Sequence, residues 1–347
     1  VPLTATSGNI QITGPGGTSN TLAFTVILPP TVSSLSPSSG PVGTLITVNG
    51  ANLGGSTNVS FAGTNASPSN VTAGSLKATV PPGAQTGVVT VTNPAGDGGA
   101  LTFKVTPKIN SLSATTGIRG SEVVISGTTF TGATAVKFNG VADTGFVVDN
   151  DSQITAHVPL TATSGNIQIT GPGGTSNTLA FTVILPPTVS SLSPSSGPVG
   201  TLITVNGANL GGATNVSFAG TNAAPSSVTA GSLKATVPPG AQTGVLTVTN
   251  PAGTGGALVF KVTPKIVSLS TTSGIRGSAV TITGTTFTGA TAVKFNGVAD
   301  TGFVVDNDSQ ITAHVPLTAT GGNIQITGPG GTSNTLAFTV ILPPTVS

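Results

Sequence analysis

The sequence predicts an all-β chain of small β-sandwiches arranged as a tandem repeat array. Three observations lead there. A long stretch recurs at a fixed interval, short β-branched segments are broken by Gly/Pro turns every 8–12 residues, and no stretch carries an apolar period of 3.6.

The repeat comes first. VPLTATSGNIQITGPGGTSNTLAFTVILPPTVS begins at Val1, at Val158 and at Val315, 157 residues apart each time, with Ser164 replaced by Gly321 in the last copy. The two full periods differ at only a dozen positions, among them Ser56/Ala213, Asp97/Thr254, Glu122/Ala279 and Val124/Thr281. Each period is itself double. PTVSSLSPSSGPVGTLITVNGANL from Pro30 and PKINSLSATTGIRGSEVVISGTTF from Pro107 share one layout. We name them modules A and B. The expected partition is residues 1–28, the last part of a B module; 29–105, module A; 106–185, module B; 186–262, module A; 263–342, module B; and 343–347, the opening of another A. Residues 1–28 hold only the last two strands of a module, so the sequence is expected to be a window on a longer covalent array.

Within module A the expected strands are 31–36, 44–49, 57–62, 69–72, 75–80, 88–93 and 100–105. In the 44–49 segment, Ile46 and Val48 fall on one face and Thr47 on the other, the period-2 signature of a half-buried strand. Val59 and Phe61 repeat the pattern in 57–62. PSSGPVG at 37–43, PPGAQTG at 81–87 and NPAGDGG at 93–99 read as turns, since Gly tolerates positive φ and Pro interrupts pairing. A module of about 80 residues is close to the lower limit for an independent core. Phe24, Phe61, Phe103, Phe130, Phe138 and Phe146 are therefore expected inside.

Composition narrows the function classes. Charged residues make up 5% of the chain and the net charge is +2, too few charges to build a basic face for nucleic acid. No apolar run approaches the roughly 18 residues of a membrane span, so no membrane insertion is expected in this segment. Cys is absent, so disulfides and thiolate metal sites are excluded and the modules must hold by packing. Trp and Tyr are absent too, which removes the usual aromatic platforms for sugars.

These segments resemble the IPT/TIG family of immunoglobulin-like domains. The likeness runs through SLSPSSGPVGTLITVNGANL, TNVSFAG and SLKATVPPGAQTGVVTVTNPAG in module A. In module B it runs through SLSATTGIRGSEVVISGTTFTGATAVKFNG and DNDSQITAHVPLTATSGNIQITGPGG. The resemblance covers essentially the whole chain. It implies an immunoglobulin-like sandwich per module and brings no catalytic residues with it.

The candidate chemistry is sparse. His157 and His314 are the only histidines and occupy equivalent positions. Glu122 is the sole Glu and becomes Ala279 in the next copy, so paired-carboxylate catalysis cannot rest on it. No enzymatic activity is expected. Asp149 and Asp151 in VVDNDSQ, with Asp306 and Asp308, are the metal candidates. A calcium site would draw on their carboxylates, with Asp143 and Asp300 close enough in sequence to add a ligand. The preferred reading is a turn in which Asp and Asn bond their own backbone. No cofactor is expected. GPGGTSN at 14–20 joins two strands and reads as a hairpin loop rather than a phosphate cradle. Lys104 and Lys108 flank the A–B junction as solvated charges or partners of an acidic group. Asn58, Asn65, Asn70 and Asn150 begin N-x-S/T sequons.

The expectation for function is a structural component of an extracellular or cell-surface filament, fibre or sheath. Its partners would be other copies of itself, associating laterally or end to end. Near-identical repeats present the same surface at a fixed pitch, few charges oppose contact between neighbours, and Pro at each junction limits bending. The alternative is a rigid stalk of a surface adhesin, with cell-surface glycans or proteins as partners.

Overall fold

The computed structural model describes residues 1–2 and 4–343. It is all-β, and no helix occurs among the described residues. The A module expected to open at 343–347 lies, from residue 344 on, outside the described residues. The chain divides into two compact units, Val1–Val183 and Ile184–Ser347.

In the first unit, residues 31–105 fold as two antiparallel sheets. One has the order Ser75–Thr79, Leu45–Ala51, Thr31–Ser36. The other runs Ser39–Gly40, Gly96–Val105, Gly87–Asn93, Asn58–Phe61, Thr64–Ala66, with the short Ser39–Gly40 segment parallel to its neighbour. Alternation sorts the side chains. Ile46 and Val48 are fully buried, while Leu45, one step out of phase, is 53% exposed. Val59, Val89 and Val91 meet them from the second sheet in one apolar cluster. Phe61 and Phe103 lie edge to face, ring centroids 5.6 Å apart, at its centre. Such a pair adds about 1 kcal/mol beyond the area it buries.

Residues 108–184 build a second sandwich on the same plan. Its first sheet gains a fourth strand, in the order Lys108–Leu112, Glu122–Thr128, Gln153–His157, Val147–Asn150. Its second sheet runs Thr116–Ile118, Leu179–Ile184, Gly165–Gly171, Ala135–Phe138, Val141–Asp143. Phe138 and Phe181 form the edge-to-face pair here. The second unit repeats both sandwiches, with Phe218–Phe260 and Phe295–Phe338 in the same roles.

Two features depart from the sequence expectation. The segment 69–72 is not a strand. Asn70 takes φ 51°, which breaks the extension, and only Ser69 pairs, exchanging both backbone bonds with Lys77. In module B the matching edge is a full strand, Val147–Asn150, which explains the difference of one strand. The 93–99 turn is shorter than expected. Pro94 and Ala95 make the reversal, so Gly96–Val105 is already strand and irregular pairing between Val89 and Val91 absorbs the extra residue.

Four of the six expected core phenylalanines, Phe61, Phe103, Phe130 and Phe138, are at most 1% exposed. Phe146 is half-buried. Phe24 is 38% exposed, whereas its equivalents Phe181 and Phe338 are at 3%. In residues 1–28 the described strands form only two-stranded pairs, Gly8–Ile10 with Leu22–Phe24 and Thr13–Gly14 with Gly17–Thr18, so no opposing sheet covers that ring.

Candidate functional site

A groove on each B module lies where the sheet edge Val141–Asp143 turns toward the strand ending at His157. Asp143, Thr144, Gly145, His157, Leu160 and Thr161 are among the residues lining a groove of about 390 Å³. Asp300, Thr301, Gly302, His314, Leu317 and Thr318 line its counterpart of about 400 Å³.

The groove holds an acid and an imidazole, but their geometry is structural. Asp143 is 7% exposed. Its Oδ1 accepts the Gly145 N–H at 2.8 Å and its Oδ2 accepts the His157 N–H at 2.7 Å. Both carboxylate oxygens are thus engaged by backbone, which holds the 143–147 crossover to the end of the Gln153–His157 strand. Asp300 repeats both bonds with Gly302 and His314. Glu122 is the direct cross-strand partner of His157, but Ala279 stands opposite His314. An acid–imidazole pair at that position therefore exists in only one of the two modules. Arg119 Nε donates to the Ala162 carbonyl at 3.1 Å, and Arg276 does the same to Ala319, fixing the loop that carries Leu160 or Leu317.

The four metal candidates separate into two environments. Asp149 Oδ2 accepts Thr155 Oγ1 at 2.8 Å and Gln153 Nε2 at 3.3 Å, a cross-strand arrangement on the sheet surface. Asp151 reaches the other way, accepting the Thr129 and Thr131 N–H groups at 3.3 Å each. Between them Asn150 Oδ1 caps the hairpin through the Ser152 N–H and hydroxyl. Asp306 and Asp308 copy this pattern. Asp143 is held by Gly145 and His157 rather than by these two. Among the described residues no three His, Asp or Glu side chains converge as a metal-holding group.

The other sequence candidates sit apart. The loop 14–20 joins strands, as a hairpin should. Lys104 and Lys108 are both exposed. Of the sequon asparagines, Asn58 donates through Nδ2 to Asn65 Oδ1 at 3.1 Å on the sheet face.

Exposed apolar side chains recur at equivalent positions instead. Leu45 and Leu202 are each 53% exposed, Leu160 and Leu317 each 74%, and Val147 and Val304 54% and 55%. The sequence carried the signal for Leu45, which falls on the water-facing phase beside Ile46 and Val48. It carried none for Leu160, which lies in a loop beyond the strand period.

No curated protein matches the chain. Solved structures give distant likenesses. One, solved with a xylogluco-oligosaccharide, is 22% identical over 67% of this chain and 60% of that one, with a TM-score of 0.29. The Bacteroides ovatus mixed-linkage glucan utilization locus SGBP-B, in complex with a mixed-linkage heptasaccharide, is 16% identical over 67% of each chain, with a TM-score of 0.22. The plexin A4 extracellular region is 16% identical over 87% of this chain and 30% of that one, with a TM-score of 0.25. The family model described as the IPT/TIG domain matches residues 30–105 and again 187–262, the two A modules. With the sandwich topology of those segments, the match identifies residues 30–105 and 187–262 as two IPT/TIG domains.

Proposed function

We propose that the chain is a non-catalytic structural element of an extracellular or cell-surface assembly, in which its modules associate with further copies of the same chain. In this reading residues 29–105, 106–185, 186–262 and 263–342 are four successive modules. The observation that supports it best is the recurrence of exposed leucines at equivalent positions. Leu45/Leu202 and Leu160/Leu317 protrude to the same extent in both units. An exposed leucine that becomes buried on contact contributes about 2 kcal/mol. A set repeated at a fixed interval adds these contributions along the array, which is how weak contacts produce ordered association. With 5% charged residues, little repulsion opposes it. The groove beside His157 supports the non-catalytic part of the reading, because its buried acid is engaged by backbone N–H groups on both oxygens.

Negative-stain electron microscopy of the chain beside a Leu45→Ser, Leu202→Ser, Leu160→Ser, Leu317→Ser variant tests the proposal. Ordered assemblies are expected from the unaltered chain and are expected to be lost from the variant. Discrete single molecules from both would favour the stalk reading instead. The distant likenesses include structures solved with oligosaccharides, so a glycan panel is the companion measurement. Saturable binding to one glycan, without association, would replace self-assembly by glycan recognition.

A further inference from the structure

We propose that the A–B pair, not the single module, is the cooperative unit of this chain, and that the Gly-rich hairpin loop of module B locks the pair by seating on the last strand of module A. The inference holds whether the array is a filament component or a stalk.

The lock is visible in the glycines of GPGGT at 171–175. Gly173 is buried, and a Cβ added there would run into the carbonyl of Val105 and lie 2.8 Å from Thr86 Oγ1. Both obstacles belong to module A. A Cβ on Gly171 would meet Pro107 Cγ, in the linker between the modules, at 2.8 Å. Module A prepares the seat. Thr86 Oγ1 accepts the Val105 N–H at 2.9 Å and donates to the Val105 carbonyl at 3.3 Å, which fixes the strand end against which the loop packs. Pro107 is itself buried. Unit two repeats every part, with Gly330 against Val262 and Thr243, Gly328 against Pro264, and Thr243 clasping Val262.

The loop's own conformation calls for glycine at Gly174, at φ 127°, but not at Gly171 or Gly173. Gly173 and Gly330 are absent from the positive-φ residues, so their backbone would accept any side chain. The same loop occurs at 14–18, and there Gly14 and Gly16 are exposed and have nothing within 4 Å of an added Cβ. With identical sequence in an open setting, the steric demand for glycine at Gly171 and Gly173 traces to the linker and the neighbouring module.

The link between the modules is short. Strand Gly96–Val105 is followed by Thr106 and Pro107, and strand Lys108–Leu112 begins at once. So short a tether gives the loop and its seat an effective concentration of about millimolar or above, enough for a small contact to stay closed. Repeat arrays gain cooperativity from such nearest-neighbour contacts. Of the two compact units, the first, Val1–Val183, holds one A–B pair to within two residues of its end, and the second holds the other.

Calorimetry of the full chain tests the proposal. Two cooperative pairs predict a van't Hoff enthalpy of about half the calorimetric value, whereas four independent modules predict about a quarter. The Gly173→Val, Gly330→Val variant is expected to fall to about a quarter, and Gly16→Val is expected to stay at about half. Hydrogen exchange on the unaltered chain needs no variant. Protection of the Val89 amide in A and the Ile167 amide in B should agree to within about threefold, as should that of Leu246 and Ile324. A ratio near a quarter in the unaltered chain, a larger spread in protection within either pair, or a ratio unmoved by the double valine variant would overturn the proposal.

Discussion

Asparagines hold the chain where strands and linkers meet. Asn93 is 4% exposed, and its amide donates to the Leu28 and Asn52 carbonyls at 2.9 Å each while its Oδ1 accepts the Ala95 N–H at 2.8 Å. One side chain thus satisfies three backbone groups that no ladder serves. Asn250 does the same in the second unit. Asn93→Ala leaves all three groups unpaired and is expected to cost about 3 kcal/mol, read as a lowered denaturation midpoint. An unchanged midpoint would show that water replaces the amide. Thr129 is the opposite case. It is 3% exposed, takes φ 62°, and its hydroxyl has no partner, and Thr286 is identical in all three respects. A β-branched residue is costly in that conformation, and a buried unpaired hydroxyl adds to the cost. Thr129→Val keeps the shape and removes the hydroxyl, so it is expected to gain about 1 kcal/mol, measured by urea denaturation. A loss would mean the hydroxyl is bonded in solution. Neither role was legible in the sequence. Asn93 lies in a stretch that reads only as a turn, and nothing marks Thr129 apart from the other threonines around it.

Strands were far more legible, because alternation and turn chemistry are local. Thr31–Ser36 begins and ends where expected, and Ile46, Val48, Val59 and Phe61 face the core as their phase requires. Legibility failed where backbone conformation overrode composition. The polar 69–72 segment has strand-like content, yet Asn70 turns it out of the sheet. Gly96–Val105 extends through glycines that read as loop, because a two-residue reversal leaves them in the ladder. In module B the edge strand forms at VVDN, Val147–Asn150, where module A carries SNVT at 69–72. Packing between the sheets depends most on the edge-to-face phenylalanines. Phe61→Ala deletes a ring at 1% exposure and its contact with Phe103, and is expected to cost about 4 kcal/mol. That is a large fraction of what a domain of this size holds. Thermal melts and near-ultraviolet spectra of the variant check this. A cost below about 1 kcal/mol would mean that the two sheets close over the cavity.

At the scale of the molecule, no single side-chain cluster among the described residues carries a recognisable chemistry. The groove of module B places its acid on backbone, the four aspartates of the 149–151 and 306–308 hairpins bind backbone and neighbouring side chains, and the Glu opposite His157 has no equivalent opposite His314. What recurs is a set of exposed leucines at the same positions of both units. The account therefore rests on association between copies. Multi-angle light scattering of the purified chain across a hundredfold range of concentration measures it directly. The average mass is expected to climb well above that of the monomer as concentration rises, and to climb less when Leu45, Leu202, Leu160 and Leu317 are serine. A monomer mass that stays constant across the whole range would contradict the account.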